Sequence, residues 1–147
     1  MQKLKRFILS FSFFSLAMSS MAAQSIEMQV YKSPHCGCCS AWVTKMQEAG
    51  FSVTVIDQNN NNKLRQQKHI PNQLASCHTA LVEGYAIEGH VPSADIARLL
   101  KEKPSIAGLA VPGMPASAPG MDIPGDTTPY QVVAFKKEGD MSVYNRY

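Results

Sequence analysis

The stretch Ser33-Pro34-His35-Cys36-Gly37-Cys38-Cys39 constrains this chain most, because three of its four cysteines fall within four consecutive positions. Before it, residues 26–31 alternate apolar and polar, as a half-buried strand does. After it, residues 36–49 place Cys39, Trp42, Val43, Met46 and Ala49 on one helical face, and Gly50 stands where a helix commonly stops. The motif therefore joins a strand to a helix. At a helix start, unpaired N–H groups and the helix dipole favour thiolate over thiol.

Cys36 and Cys39 keep the two-residue spacing of a dithiol–disulfide pair, with Cys36 as the exposed thiolate and Cys39, one turn on, as its resolving partner. The alternative is a purely structural disulfide. It would staple little, since the enclosed loop is tiny and stabilisation grows with loop length. Cys38 is superfluous for such a pair. With Cys77-His78 further along the chain it points to a soft-metal site, because thiolates select Cu(I), zinc or iron–sulfur clusters. One tetrahedral zinc taking both Cys38 and Cys39 is strained, as zinc sites space paired ligands by about two to four residues. Adjacent thiolates that bridge several cuprous ions avoid that strain, so the spacing favours copper. A second disulfide, Cys38 to Cys77, is the plainer alternative. It leaves His78 beside Cys77 unexplained.

The chain of 147 residues has room for one domain with a real core. Lys3, Lys5 and Arg6, an apolar run over residues 7–18 and the small residues at 20–22 read as a secretory signal peptide over 1–22. Cleavage is expected after Ala22 or Ala23, leaving 24–147; an uncleaved anchor is the alternative. Cleavage lowers Lys+Arg from 14 to 11, equal to the 11 Asp+Glu, so the mature chain is formally neutral. The basic balance belongs to the signal and argues for neither nucleic acid nor a membrane partner. Export places the four cysteines in an oxidising compartment, where an even count also permits two disulfides.

Further along, residues 51–56 read as a buried strand and 63–69 as a helix ended by Pro71. Residues 79–83 and 85–88 make a hairpin turned at Gly84, and Pro92 or Ser93 opens a helix carrying Ile96, Leu99 and Leu100. This order is that of an α/β, thioredoxin-like single domain. In that layout Cys77-His78 takes the place usually held by a cis-proline, against the start of the first helix. Residues 107–129, rich in Gly, Pro, Met and Ser, look too broken for a helix or a central strand. They repeat Pro-Gly-Met at 112–114 and 119–121. Residues 131–136 and 141–144 make a closing β-hairpin.

His78 is the best imidazole ligand because of Cys77. His35 either tunes Cys36 or is a solvated loop residue, His90 reads as a structural hydrogen-bonding residue, and His69 as exposed. Met114 and Met121 are thioethers in identical frames, suited to Cu(I) or to plugging gaps under a loop. Met28, Met46 and Met141 fall in apolar phase and read as core.

Cys-Gly-Cys-Cys with Trp42, then Gly50-Phe51, Ser76-Cys77-His78-Thr79-Ala80, Gly84-Tyr85, Glu88-Gly89-His90-Val91-Pro92 and Gly108-Leu109-Ala110-Val111-Pro112-Gly113-Met114 resemble the CopG-type periplasmic copper-resistance proteins. The resemblance spans nearly the whole mature chain. It implies a thioredoxin-like fold, a place beside copper-resistance systems, and copper at the Cys-x-Cys-Cys motif and the Cys-His pair. Nothing in it bears on His35.

The expectation is an exported copper protein. Cys36, Cys38, Cys39 and Cys77 hold Cu(I), more than one ion, with His78 nearby and Met114 or Met121 closing the site. Cys36 and Cys39 couple copper redox state to thiol and disulfide. A thiol–disulfide oxidoreductase acting on protein cysteines and a passive copper chaperone are the competing readings. Expected partners are copper ions, other periplasmic copper-handling proteins or a thiol reductant.

Overall fold

The computed structural model describes residues 25–147, so the signal-peptide reading of 1–22 lies outside the described residues. In chain order the elements are β1 (Ile26–Lys32), α1 (Gly37–Glu48), β2 (Phe51–Asp57), α2 (Asn62–Gln67), a 3-10 turn (Asn72–Leu74), β3 (His78–Val82), β4 (Tyr85–Glu88), α3 (Ser93–Glu102), β5 (Gly108–Ala110), β6 (Gln131–Phe135) and β7 (Met141–Arg146). All seven strands form one sheet in the order β2-β1-β3-β4-β5-β6-β7. β1 runs parallel to β2 and antiparallel to β3, and β3 and β4 form a hairpin.

One face of the sheet carries Met28, Val30, Ala80, Val82, Ile87 and Leu109 against Trp42, Val43 and Met46 of α1 and Ile96, Leu99 and Leu100 of α3. Side chains alternate across a strand, so Ala86, Ala110 and Phe135 face the other way and meet Ile70 and Leu74 of the short segment before β3. Trp42, fully buried, donates its indole N–H to Val91 O at 2.9 Å and so ties α1 to the turn that opens α3.

The structure corrects four sequence expectations. The run 51–56, expected as a buried strand, lies in an edge strand, because β2 pairs only with β1; Val55 is 42% exposed. Ala49 lies past the last turn of α1 and is exposed. Met141 is exposed, not core, since it starts the outer strand β7.

The fourth correction is β5, a short central strand inside the Gly/Pro-rich stretch. It is possible because Gly108 has no side chain: a Cβ there would sit 1.8 Å from Ala86 O. β5 runs parallel to β4 and antiparallel to β6, and thereby joins the closing hairpin to the rest of the sheet.

Candidate metal centre

Strand register assembles the site. In the β1–β3 pairing Lys32 stands opposite His78, which sets Cys77 beside Ser33 at the mouth of the cysteine loop. In the β3–β4 hairpin Thr79 stands opposite Glu88, around a turn in which Glu83 and Gly84 both have positive φ (44° and 88°). The pairing continues past the strand ends: Gly89 N–H donates to His78 O at 2.9 Å. Cys77 therefore faces His90 across the hairpin.

Cys36 is the N-cap of α1, its sulfur accepting from Cys39 N–H at 3.3 Å, and it is disulfide-bonded to Cys39. Cys38 Sγ lies 3.5 Å from Cys36 Sγ. Cys38 and Cys77 are free, half-buried thiols, so no second disulfide links them. All four sulfurs lie within 4.8 Å of one another. Burial, with Cys38 close by, pushes the Cys77 thiol up to about 11. At neutral pH it is a protonated, sluggish nucleophile, whose proton a soft cation can displace.

Two imidazoles approach the same sulfur. Cys77 Sγ is 3.4 Å from His78 Nδ1 and 3.1 Å from His90 Nε2. His90 Nδ1 lies 2.7 Å from Pro119 O; a carbonyl only accepts, so Nδ1 carries the proton and Nε2 offers its lone pair to Cys77. His78 is fully buried against Trp42, with ring centroids 4.5 Å apart, and its Nε2 finds no hydrogen-bond partner. Burial, and then His90, hold the His78 imidazole down to about 3; burial lowers His90 as well. Both rings are thus neutral and able to act as ligands.

Two solved structures of a copper resistance protein copG, forms 1 and 2, superpose on this chain with a TM-score of 0.80 and 35% sequence identity. They cover 84% of it, and 99% and 98% of their own chains are matched. The chain belongs to the CopG copper-resistance family. The family described as protein of unknown function, DUF411, matches residues 74–121, the stretch that holds Cys77, His78 and His90. No curated protein sequence matches. No helix of the described residues is long and apolar enough to cross a membrane.

Around this CopG-family site a buried polar network fixes the Ser76-Cys77 backbone. Glu88, fully buried, pairs with Arg65 at 2.8 Å and accepts from Ser76 N–H at 2.7 Å and from Thr79 Oγ1 at 2.6 Å. Arg65 in turn donates to Ser76 O. Gly89 and Gly120 permit close packing beside the site. A Cβ on Gly89 would meet Ser76 Oγ at 2.6 Å, and one on Gly120 would meet Trp42 N at 2.8 Å and Cys38 O at 2.9 Å. Gly120 thereby lets the 119–121 segment close on the start of α1 and carry Pro119 O to His90.

Met114 is 57% exposed and lines, with Ala75, Ser76, Cys77 and Gly113, an open cavity of about 310 Å³. Met121 is half-buried, between Gly120 and Asp122, whose carboxylate pairs with Lys45 of α1 at 2.9 Å. Met114 thus lines the same cavity as the free thiol of Cys77. His35 and His69 are exposed and stand outside both ligand groups.

Reading the residues alone missed His90 as a site residue. The signal was available: counting outward from a two-residue turn at 83–84 pairs 79 with 88, 78 with 89 and 77 with 90.

Proposed function

We propose that this chain is a periplasmic copper-binding protein of copper resistance, which holds Cu(I) on sulfur and couples copper redox state to thiol and disulfide. The gathering of the sulfurs of Cys36, Cys38, Cys39 and Cys77 within 4.8 Å of one another carries the reading. Membership of the CopG family supports it. In the reduced protein these four cysteines bind cuprous ions as thiolates, and neighbouring Cys38 and Cys39 bridge more than one ion. His78 adds an imidazole, and the thioether of Met114 or Met121 closes the outer side.

The redox step balances on the chain's own residues. Cys36 and Cys39 give one electron each to two cupric ions; two cuprous ions, the Cys36–Cys39 disulfide and two protons result. A thiol reductant restores the dithiol. The disulfide seen here is the oxidised end of that cycle.

The fold reading that accompanies this function is thioredoxin-like. The sequence β1-α1-β2-α2-β3-β4-α3, with strands ordered β2-β1-β3-β4, supports it. β5 to β7 then extend the sheet. Residues 1–22 are the export signal and 24–147 the mature domain, which the mass of protein recovered from the periplasm tests.

The Cys36–Cys39 pair at a helix start also favours a second reading, exchange with cysteines of other proteins. Anaerobic Cu(I) titration of the reduced protein, with thiols counted before and after, separates the two. More than one tightly held Cu(I), preferred over zinc, is expected. Saturation by a single zinc-preferring site, or no copper binding alongside rapid disulfide exchange, overturns the proposal.

A further inference from the structure

We infer, resting on the redox cycle proposed above, that the polar cavity between the cysteine loop and residues 58–62 binds the reductant that resets the cycle. The ligand is a small thiol that carries a carboxylate.

Place comes first. The cavity, of about 250 Å³, is lined by Ser33, residues 58–62, Arg65, Ser76 and Cys77. Cys36 Sγ lies within 4.8 Å of Cys77 Sγ, and the carbonyl of Ser33 accepts Cys36 N–H at 3.1 Å. A thiol lodged in the cavity therefore stands beside the disulfide. Cys36 is half-buried and Cys39 fully buried, so the sulfur open to attack is that of Cys36.

The lining is rich in donors, because its acceptors are used internally. Asn60 Oδ1 takes Asn62 N–H at 2.7 Å, and Asn62 Oδ1 takes an N–H of Arg65 at 3.4 Å. Asn61 is buried and spent, donating to Tyr31 O at 2.8 Å and accepting from Gln58. The amide N–H groups of Asn60 and Asn62 keep no partner among the described residues. A guanidinium has five N–H groups, so Arg65 also retains donors after its bonds to Glu88, Ser76 O and Asn62.

No carboxylate lines the cavity. Glu88 offsets Arg65 from inside the fold. Lys32, bonded to Ser33 O at 2.9 Å, brings a second cation, whose partner Asp57 is exposed and 3.9 Å away. Surplus donors beside cations select a carboxylate, and the neighbouring disulfide selects a thiol. The lining offers no aromatic or aliphatic anchor of the kind a docking protein needs. Its volume suits a molecule of amino-acid or short-peptide size.

The step balances. The incoming thiol gives up its proton as its sulfur bonds to Cys36 Sγ; the Cys36–Cys39 bond breaks, and Cys39 leaves with the electron pair and takes a proton. A second molecule of the same thiol attacks the reductant's sulfur in this mixed disulfide. Cys36 is released as a thiol and the reductant as its own disulfide.

The test reduces the copper-free protein, disulfide intact, with N-acetylcysteine and with its amide, which lacks the carboxylate. Each rate is divided by that of the same thiol with bis(2-hydroxyethyl) disulfide, which removes differences in intrinsic reactivity. The acid should be favoured about tenfold. Asn60→Asp and Asn62→Asp keep the internal acceptors and replace a free donor by a carboxylate. Each should erase the preference while leaving melting and the rate with the amide near those of the parent. Gln67→Glu adds the same charge at the other end of α2, outside the cavity, and should leave the preference unchanged.

Equal normalised rates for acid and amide overturn the assignment. So does a preference that survives Asn60→Asp and Asn62→Asp in variants that melt like the parent, or reduction by a protein dithiol with neither small thiol active. Anaerobic Cu(I) titration of the reduced protein reads the function proposed above independently. Tight Cu(I) binding with no carboxylate preference defeats the reductant site alone. A carboxylate preference without Cu(I) binding defeats the copper reading alone, and absence of both defeats the two together.

Discussion

Lys32 stands opposite His78 in the antiparallel pairing of β1 with β3, and this register carries Cys77 to the cysteine loop. A slip by one residue would turn His78 out of the core, where it lies fully buried against Trp42. The site is therefore as well fixed as the sheet. The α1 end supplies three sulfurs, and the hairpin supplies the fourth sulfur with its two imidazoles.

Cys77→Ser should lower Cu(I) capacity or affinity in the reduced protein while leaving melting close to that of the parent. Serine is nearly isosteric but a poor ligand for cuprous ions. Cys38→Ser should behave alike and keep the Cys36–Cys39 disulfide, because Cys38 is a free thiol. Were these cysteines purely structural, each variant would lose about 2–5 kcal/mol of stability with no specific copper defect. Melting and Cu(I) competition on the same variants distinguish the outcomes.

Met114→Leu should cost less copper affinity than either cysteine variant and almost no stability. The side chain is 57% exposed, and leucine preserves its volume. A Cu(I) competition assay in which Met114→Leu matched Cys77→Ser would promote the thioether to a principal ligand.

Glu88→Gln should destabilise the fold by about 3–5 kcal/mol, the usual consequence of breaking a buried ion pair from one side. Arg65 would keep its charge beside a neutral amide, and Ser76 N–H would lose a carboxylate acceptor. Chemical denaturation measures the loss. Copper affinity should fall with it, because Ser76 precedes Cys77. A loss under about 1 kcal/mol would show that the network is dispensable.

Gly120→Ala should destabilise more than Gly139→Ala. Both glycines have positive φ, 86° and 95°, so both substitutions carry backbone strain of about 1–3 kcal/mol. Only at Gly120 does the new Cβ also meet backbone, Trp42 N at 2.8 Å; at Gly139 the space is open. Thermal melts of the pair read the difference, and equal shifts would refute the close approach of the 119–121 segment to α1.

Several features were legible in the residues themselves. Strand, cysteine motif and helix follow one another as the periodicities predict, Gly50 stops α1 in left-handed conformation, and the hairpin turns at Gly84, although Glu83 joins the turn instead of ending the strand. These are local matters of side-chain period, capping and turn chemistry, written into a few neighbouring positions. Cys36, the N-cap, and Cys39 of α1 are bonded as their spacing suggests.

Tertiary structure decided the rest, because strand order and exposure depend on partners distant in the chain. Residues 51–56 look like a buried strand by composition, yet their neighbour on one side is solvent; Met141 has core character but begins the other outer strand. β5 exists because a glycine lets two backbones approach, which no hydrophobic pattern reveals. His90 has no cysteine or histidine beside it in sequence. Its place opposite Cys77 follows from hairpin register, and its lone pair is aimed by Pro119 O, a contact from twenty-nine positions away. The composition of the donors was written in the chain, and only long-range packing determined which of them meet.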